Sequence, residues 1–261
     1  MIDDSELEKS WASKKIEASL PNTSYDQEIG LRWIESAEAE HASIASFARH
    51  TLQLLSLNAP SDLLIASQKA AMDEVRHTET SYGVASSILK TTIKPDVLDI
   101  QQGLEHLSSE EIIKSIIQEG CIEETLSAIE LNMAANLAGH PLLKQLMLQI
   151  AREEANHAQL AWNTIQWSNE KHPERKVLAE KTFQTEFKYL DEAESERRNL
   201  IDTPRCEDDT KEKILQNFGV LGNDAMRARK LGLDEIRKLV VNDHFKTANL
   251  IAEKIMNFKF L

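Results

Sequence analysis

Two breakers, Asn58-Ala59-Pro60 and Gly139-His140-Pro141, divide most of this chain into long tracts with few other interruptions. Asn, Gly and Pro end helices for stereochemical reasons, and a short breaker between two long tracts forces an antiparallel hairpin. The tracts themselves are rich in Ala, Leu, Glu, Ile and Lys, with eight Gly, six Pro and only 5% aromatic residues in 261. That content favours helix over strand, and 41% apolar residues suffice for a substantial core.

Apolar periodicity predicts a short helix from about Ser5 to Leu20, with Trp11, Ile16 and Leu20 on one side. A long helix follows from about Tyr25 to Leu57, carrying Trp33, Ala37, Ile44, Phe47 and Leu54 at helical spacing. Ser61 or Asp62 is the expected N-cap of a second helix reaching about Lys90. The irregular stretch from Thr91 to Leu107, with Pro95 and Gly103, reads as a crossover connection. Ser108 and Glu111 have capping-box spacing and open a third helix to about Ala138. Gly139 as a C-cap and Pro141 in the first turn then introduce a fourth, to about Glu170. A fifth helix to about Glu194, a loop from Asn199 to Asp209 and two or three shorter helices, one from about Asp234 to Met256, complete the chain. The expected fold is all-α: an antiparallel four-helix bundle with one long crossover, plus extra N- and C-terminal helices. Residues 1–23 form the first extension, 24–172 the bundle and 173–261 a second extension packed on it, where a cap, a substrate-side wall or an oligomer contact all remain open.

The chemistry lies in a repeated motif. Glu74-Val75-Arg76-His77 and Glu154-Ala155-Asn156-His157 each place a carboxylate and an imidazole three residues apart, hence on one helix face. In an antiparallel hairpin, residues equidistant from the turn lie at equal depth. Glu40 and His77 are symmetric about the first breaker, and Glu124 and His157 about the second. Glu40 shares its face with Trp33, Ala37, Ile44 and Phe47; Glu124 shares its face with Ile117, Cys121, Ala128 and Leu131. Glu119, Glu123 and Glu130 instead form a stripe expected to face solvent. A carboxylate on an apolar face needs a partner or a metal. The candidate ligands are therefore Glu40, Glu74, His77, Glu124, Glu154 and His157, whose four negative charges balance two divalent cations.

This set, over roughly Gln27 to Asn169, resembles the di-iron carboxylate family of the ferritin-like superfamily. The resemblance implies two iron ions, or a manganese-iron pair, with dioxygen as co-substrate and an external electron donor. Asp73-Glu74-Val75-Arg76-His77 matches the Asp-Glu-x-Arg-His pattern of soluble di-iron monooxygenases in full. By that likeness Asp73 and Glu153 are expected to hold a ligand histidine of the opposite hairpin. The second copy has Glu153 for Asp and Asn156 for Arg, so Arg76 has no counterpart. Cys121 and His41 are further candidates beside the ligands, although a buried cysteine and a core histidine are the ordinary readings. His50, His106, His140, His172 and His244 carry no assigned chemistry, and Trp162 and Trp167 read as core or rim.

Two histidines in Glu-x-x-His motifs look more like oxygenases, reductase subunits or rubrerythrins than ferritin ferroxidases. The absence of a Cys-x-x-Cys module weakens rubrerythrin, and only Tyr82 lies near enough to suggest a radical tyrosine. The leading expectation is an oxygen-activating oxidoreductase that hydroxylates carbon or oxidises an amine nitrogen of a small or carrier-bound substrate. An iron-handling ferroxidase or a peroxide scavenger is the alternative, and a tRNA-modifying hydroxylase a third reading. The net charge of -13 argues against nucleic acid as a partner, and the short basic clusters read as solvated faces. No stretch is apolar enough to span a membrane and no signal peptide is visible, so a cytoplasmic protein is expected; two distant cysteines suit that compartment, and a homodimer is left open.

Overall fold

Local chemistry at each helix end explains where the helices of this protein start and stop. The computed structural model describes residues 11, 20–101, 107–200, 209–222, 224–241 and 251–257. Among them every regular element is helical. The expected N-terminal helix lies outside the described residues except for Trp11 and Leu20, as do Gly103, His106, His244 and Phe245.

Helix α1 spans Asp26–Ser56, and Asp26 and Glu28 in its first turn complement the dipole. It ends in a Schellman motif: Asn58 adopts a left-handed conformation (φ 56), its N–H reaching Leu55 O and that of Ala59 reaching Leu54 O. Helix α2 spans Ser61–Leu89 and its N-cap is Pro60, with no side-chain cap, rather than Ser61 or Asp62. The Schellman turn returns the chain to helical geometry one residue sooner, and proline's fixed φ suits the junction. Lys90, also left-handed, stops α2. Residues 92–100 form no regular element.

The capping box at Ser108 is complete: Ser108 N donates to Glu111 Oε2 at 2.7 Å and Glu111 N to Ser108 Oγ at 3.3 Å. Beyond it the expected single α-helix is interrupted. Helix α3 (Ser109–Ser115) passes into a π-helical segment, Ile116–Glu124, before α4 (Thr125–Leu137). Wider π turns concentrate at functional sites, and this one ends on Glu124. Gly120 lies in the segment because a Cβ there would collide with the Ala161 Cβ of the next long helix. That helix, α5, spans Pro141–Lys171 with Pro141 in its first turn. Gly139 is not left-handed as a glycine C-cap would be. It is small because Asn217 packs on it, and His140 N donates to Asn217 O at 3.4 Å.

Helix α6 runs Arg175–Leu200, past its expected end, and α7 spans Asp209–Asn217. Helix α8 covers Asp224–Val241, starting well before Asp234; its first-turn acid, Asp224, follows the left-handed Gly222. Helix α9 is Ile251–Met256.

Packing joins these pieces into two hairpins, α1 with α2 and the π segment and α4 with α5, which meet along α2 and α5. Helix α8 lies on α4 and α9 on α5. One apolar cluster unites Ile117, Ile122, Trp162, Phe183, Leu233 and Ile236, so the C-terminal helices share a core with the second hairpin. Trp162 stacks on Phe183 with ring centroids 5.2 Å apart. A second cluster joins Ile29, Trp33, Val84, Leu143, Met147 and Phe218. Leu239 is buried and Val240 partly so. Among the described residues no helix is long and apolar enough to cross a membrane.

Candidate metal centre

Helical spacing delivers the six acids and imidazoles to one point between the hairpins. Helix α1 brings Glu40, α2 brings Glu74 and His77, the end of the π segment brings Glu124, and α5 brings Glu154 and His157. Glu74, His77, Glu154 and His157 are almost fully buried, with Glu40 and Glu124 partly enclosed at the margin. His77 Nδ1 lies 3.4 Å from Glu40 Oε2, 3.7 Å from Glu74 Oε2 and 3.1 Å from Glu154 Oε1. His157 Nδ1 lies 2.9 Å from Glu74 Oε1, 3.7 Å from Glu124 Oε2 and 3.8 Å from Glu154 Oε1.

These distances resolve into two overlapping sets, Glu40, Glu74, His77 and Glu154, and Glu74, Glu124, Glu154 and His157. Within each, one ligand atom per residue lies within 4.8 Å of all the others. Glu74 and Glu154 belong to both sets, which is the arrangement required of bridging carboxylates. Both Glu74 oxygens, Glu154 Oε1 and the Nδ1 atoms of His77 and His157 are buried without a hydrogen bond. Five on one spot fit a cation site, where these atoms turn their lone pairs to a shared ion. Carboxylate oxygen with imidazole nitrogen and no thiolate suits a borderline divalent transition metal.

A crossed set of supports surrounds the ligands. Glu153 Oε2 of α5 lies 2.8 Å from Nε2 of His77 on α2, and Asp73 Oδ2 of α2 lies 3.3 Å from Nε2 of His157 on α5. With Nε2 facing an acid, Nδ1 is the nitrogen that could face an ion. Arg76 pairs with Asp73 and its Nη2 stands 3.9 Å from Glu153 Oε1, so one guanidinium joins both supports. Asn156, its positional equivalent in the second motif, is exposed.

Electrostatics in the cluster are dominated by burial and mutual charge. Burial, then the neighbouring carboxylates Glu154 and Glu74, hold Glu40 well above the ordinary carboxylate range. Burial, Glu124 and Glu74 do the same to Glu154. Burial also opposes ionisation of Glu74, but the two imidazoles and Glu40 overcome it and bring its pKa down to about 2. For His157, burial disfavours the imidazolium, yet Glu124, Glu74 and Glu154 raise its pKa to about 10. Burial likewise opposes protonation of His77, and Glu153, Glu154, Glu40 and Glu74 raise it strongly. Near neutral pH, protons thus occupy the positions that cations would take.

The remaining candidates lie apart from the cluster. His41 is partly exposed and its ring meets Trp11 edge-on at 5.7 Å. Cys121 is fully buried in the apolar core, where burial pushes its thiol up. Trp162 is core, and Trp167 packs at the edge of a third apolar cluster. Tyr82 is buried, and burial raises its phenol.

Sequence reasoning placed Asp73 and Glu153 beside the ligand histidines but gave Phe47 no place against the cluster and the C-terminal region no assigned wall. Phe47 packs edge-on against His157, with centroids 4.9 Å apart. Its place seven residues after Glu40 on the same face was a usable signal. A cavity of about 680 Å³ opens onto Glu40, Glu124 and Glu154, with Trp33, Leu131, Met147 and Ile150 among its apolar walls. The turn after α7, from Gly219 to Gly222, and Arg229 of α8 close one side. No local pattern in the C-terminal region announces that role. The stripe expected to face solvent is also engaged: Glu119 pairs with Arg49, and Arg229 donates to both oxygens of Glu123, at 2.6 and 2.9 Å, and stands 3.5 Å from Glu130. A smaller cavity of about 40 Å³ lies beside Glu124 and His157, bordered by Phe47 and His50; burial and the adjacent Arg49 bring His50 down to about 4.

Compared with protein-family models, with curated proteins and with solved structures, the chain matches none.

Proposed function

We propose that this protein is a ferritin-like di-iron oxidoreductase that hydroxylates or oxidises a small or carrier-bound organic molecule. The observation that carries the reading is the sharing of Glu74 and Glu154 between two four-residue ligand sets, each completed by its own imidazole. Glu40 with His77 would hold one ion and Glu124 with His157 the other, with Glu74 and Glu154 between them. Iron, or a manganese-iron pair, would supply reduction of dioxygen at this centre, with electrons from an external donor. The chain's own contribution is geometric and electrostatic. Glu153 and Asp73 fix the two rings, the fully buried Glu74 and Glu154 keep water from the inner face, and the partly enclosed Glu40 and Glu124 border the cavity. That cavity favours an organic substrate over iron handling alone, because about 680 Å³ exceeds what a hydrated ion or peroxide needs and falls within the range of small-molecule sites.

Anaerobic titration of the metal-free protein with ferrous iron tests the assignment. Two ions per chain are expected, with Glu74→Ala reducing the count. A stoichiometry below two, or an unchanged count in Glu74→Ala, refutes it.

A further inference from the structure

We infer that the large cavity binds a molecule with an apolar body and a single ammonium group, and that Glu130 is the carboxylate that receives the ammonium. The interpretation of this molecule as a substrate rests on the function proposed above; its binding does not.

The charge distribution around the cavity carries the inference. Apart from Glu40, Glu124 and Glu154, the charged side chains lining it are Glu28, Glu35, Glu123, Glu130, Arg32 and Arg229. Both guanidiniums are engaged: Arg32 with Glu35 at 2.8 Å, and Arg229 with both oxygens of Glu123. Lys211 approaches Glu28 at 2.9 Å. Glu130 only shares Arg229, at 3.5 Å, and its side chain is 31% exposed. An entering carboxylate or phosphate would have to break an existing ion pair, whereas an ammonium finds an under-neutralised acid. Burial raises the Glu130 pKa, so an incoming cation also relieves a desolvation cost.

The walls supply the apolar half. Trp33, Leu131, Ala134, Met147, Ile150 and Leu215 line the cavity. Glu130 and Glu124 stand on one continuous helical run, separated along its axis by ~9 Å at the α-helical rise. An ammonium anchored at Glu130 is therefore held away from the metal end of the cavity. Of the two oxidations considered above, this favours carbon. It also disfavours carrier-bound substrates linked through phosphate.

Binding of n-octylamine, 1-octanol and octanoate to the folded protein, with and without manganous ion, tests the inference by calorimetry and Trp33-sensitive fluorescence. Octylamine is expected to bind about tenfold or more tightly than octanol, and octanoate more weakly than either, as a charge-assisted contact requires. Glu130→Gln should remove the advantage of octylamine and leave octanol unchanged, whereas Ser127→Leu, which fills the cavity, should weaken both. Equal binding of octanoate and octylamine, an unaffected octylamine affinity in Glu130→Gln, or insensitivity to Ser127→Leu overturns the inference. Loss of manganous binding with the octylamine preference intact would sink the metal assignment and leave this site standing.

Discussion

Replacing Glu153 by Gln keeps its size and removes its charge while leaving all six candidate ligands in place. Its Oε2 stands 2.8 Å from His77 Nε2, a charge-assisted contact that holds the ring and raises the basicity of Nδ1. Loss of such a support costs about 10–100-fold in metal affinity, or about 1.4–2.7 kcal/mol. The symmetric change, Asp73→Asn, removes a contact of 3.3 Å from an acid that already pairs with Arg76. Its cost should fall at or below about tenfold. Anaerobic calorimetric titration with manganous or ferrous ion should resolve two binding events in the unaltered protein. Glu153→Gln is expected to weaken one of them, that of the set containing His77, and to do so more than Asp73→Asn weakens the other. The reasoning is refuted if Asp73→Asn proves the costlier change, or if Glu153→Gln alters neither event by more than about twofold.

Metal affinity should climb with pH. His77, His157, Glu40 and Glu154 all have raised pKa values in the metal-free protein, so they carry protons near neutrality that a cation must displace. Affinity then falls as pH drops below about 10, where His157 takes up its proton, and proton release appears as a dependence of the binding enthalpy on buffer ionisation. No buffer dependence at pH 7 would contradict this charge distribution. Gly120→Ala should lower stability by about 1–3 kcal/mol, because the new methyl meets the Ala161 Cβ and neither backbone can yield cheaply. A melting temperature unchanged from that of the parent chain would show that the π segment and α5 are not in this close contact.

Hairpin depth was legible from numbering alone, because a helix of constant rise makes distance from a turn a measure of position. Hence Glu40 could be matched to His77, and Glu124 to His157, from residue numbers alone. The roles of Asp73 and Glu153 came only through resemblance, since an acid preceding a ligand has no periodicity of its own. The π segment escaped because Ile116, Ile117, Cys121 and Ile122 satisfy an apolar α-helical pattern as well as a wider one. Gly139 and Glu130 were misjudged for a different reason. Each depends on a residue far along the chain, Asn217 in one case and Arg229 in the other, and helical spacing describes only the near side of a contact. The early start of α8 escaped because Gly232 reads as a breaker just before Asp234, whereas it lies inside the helix, packed against Leu126.

The crossed supports tie the candidate centre to assembly of the fold. His77 is steadied by an acid of the second hairpin and His157 by an acid of the first, and each ligand set draws on both hairpins. Each hairpin alone supplies only three of the four residues of a set. If the sets hold metal as proposed, a nascent chain that has folded only its first hairpin presents an incomplete site, and full coordination would follow docking of the halves.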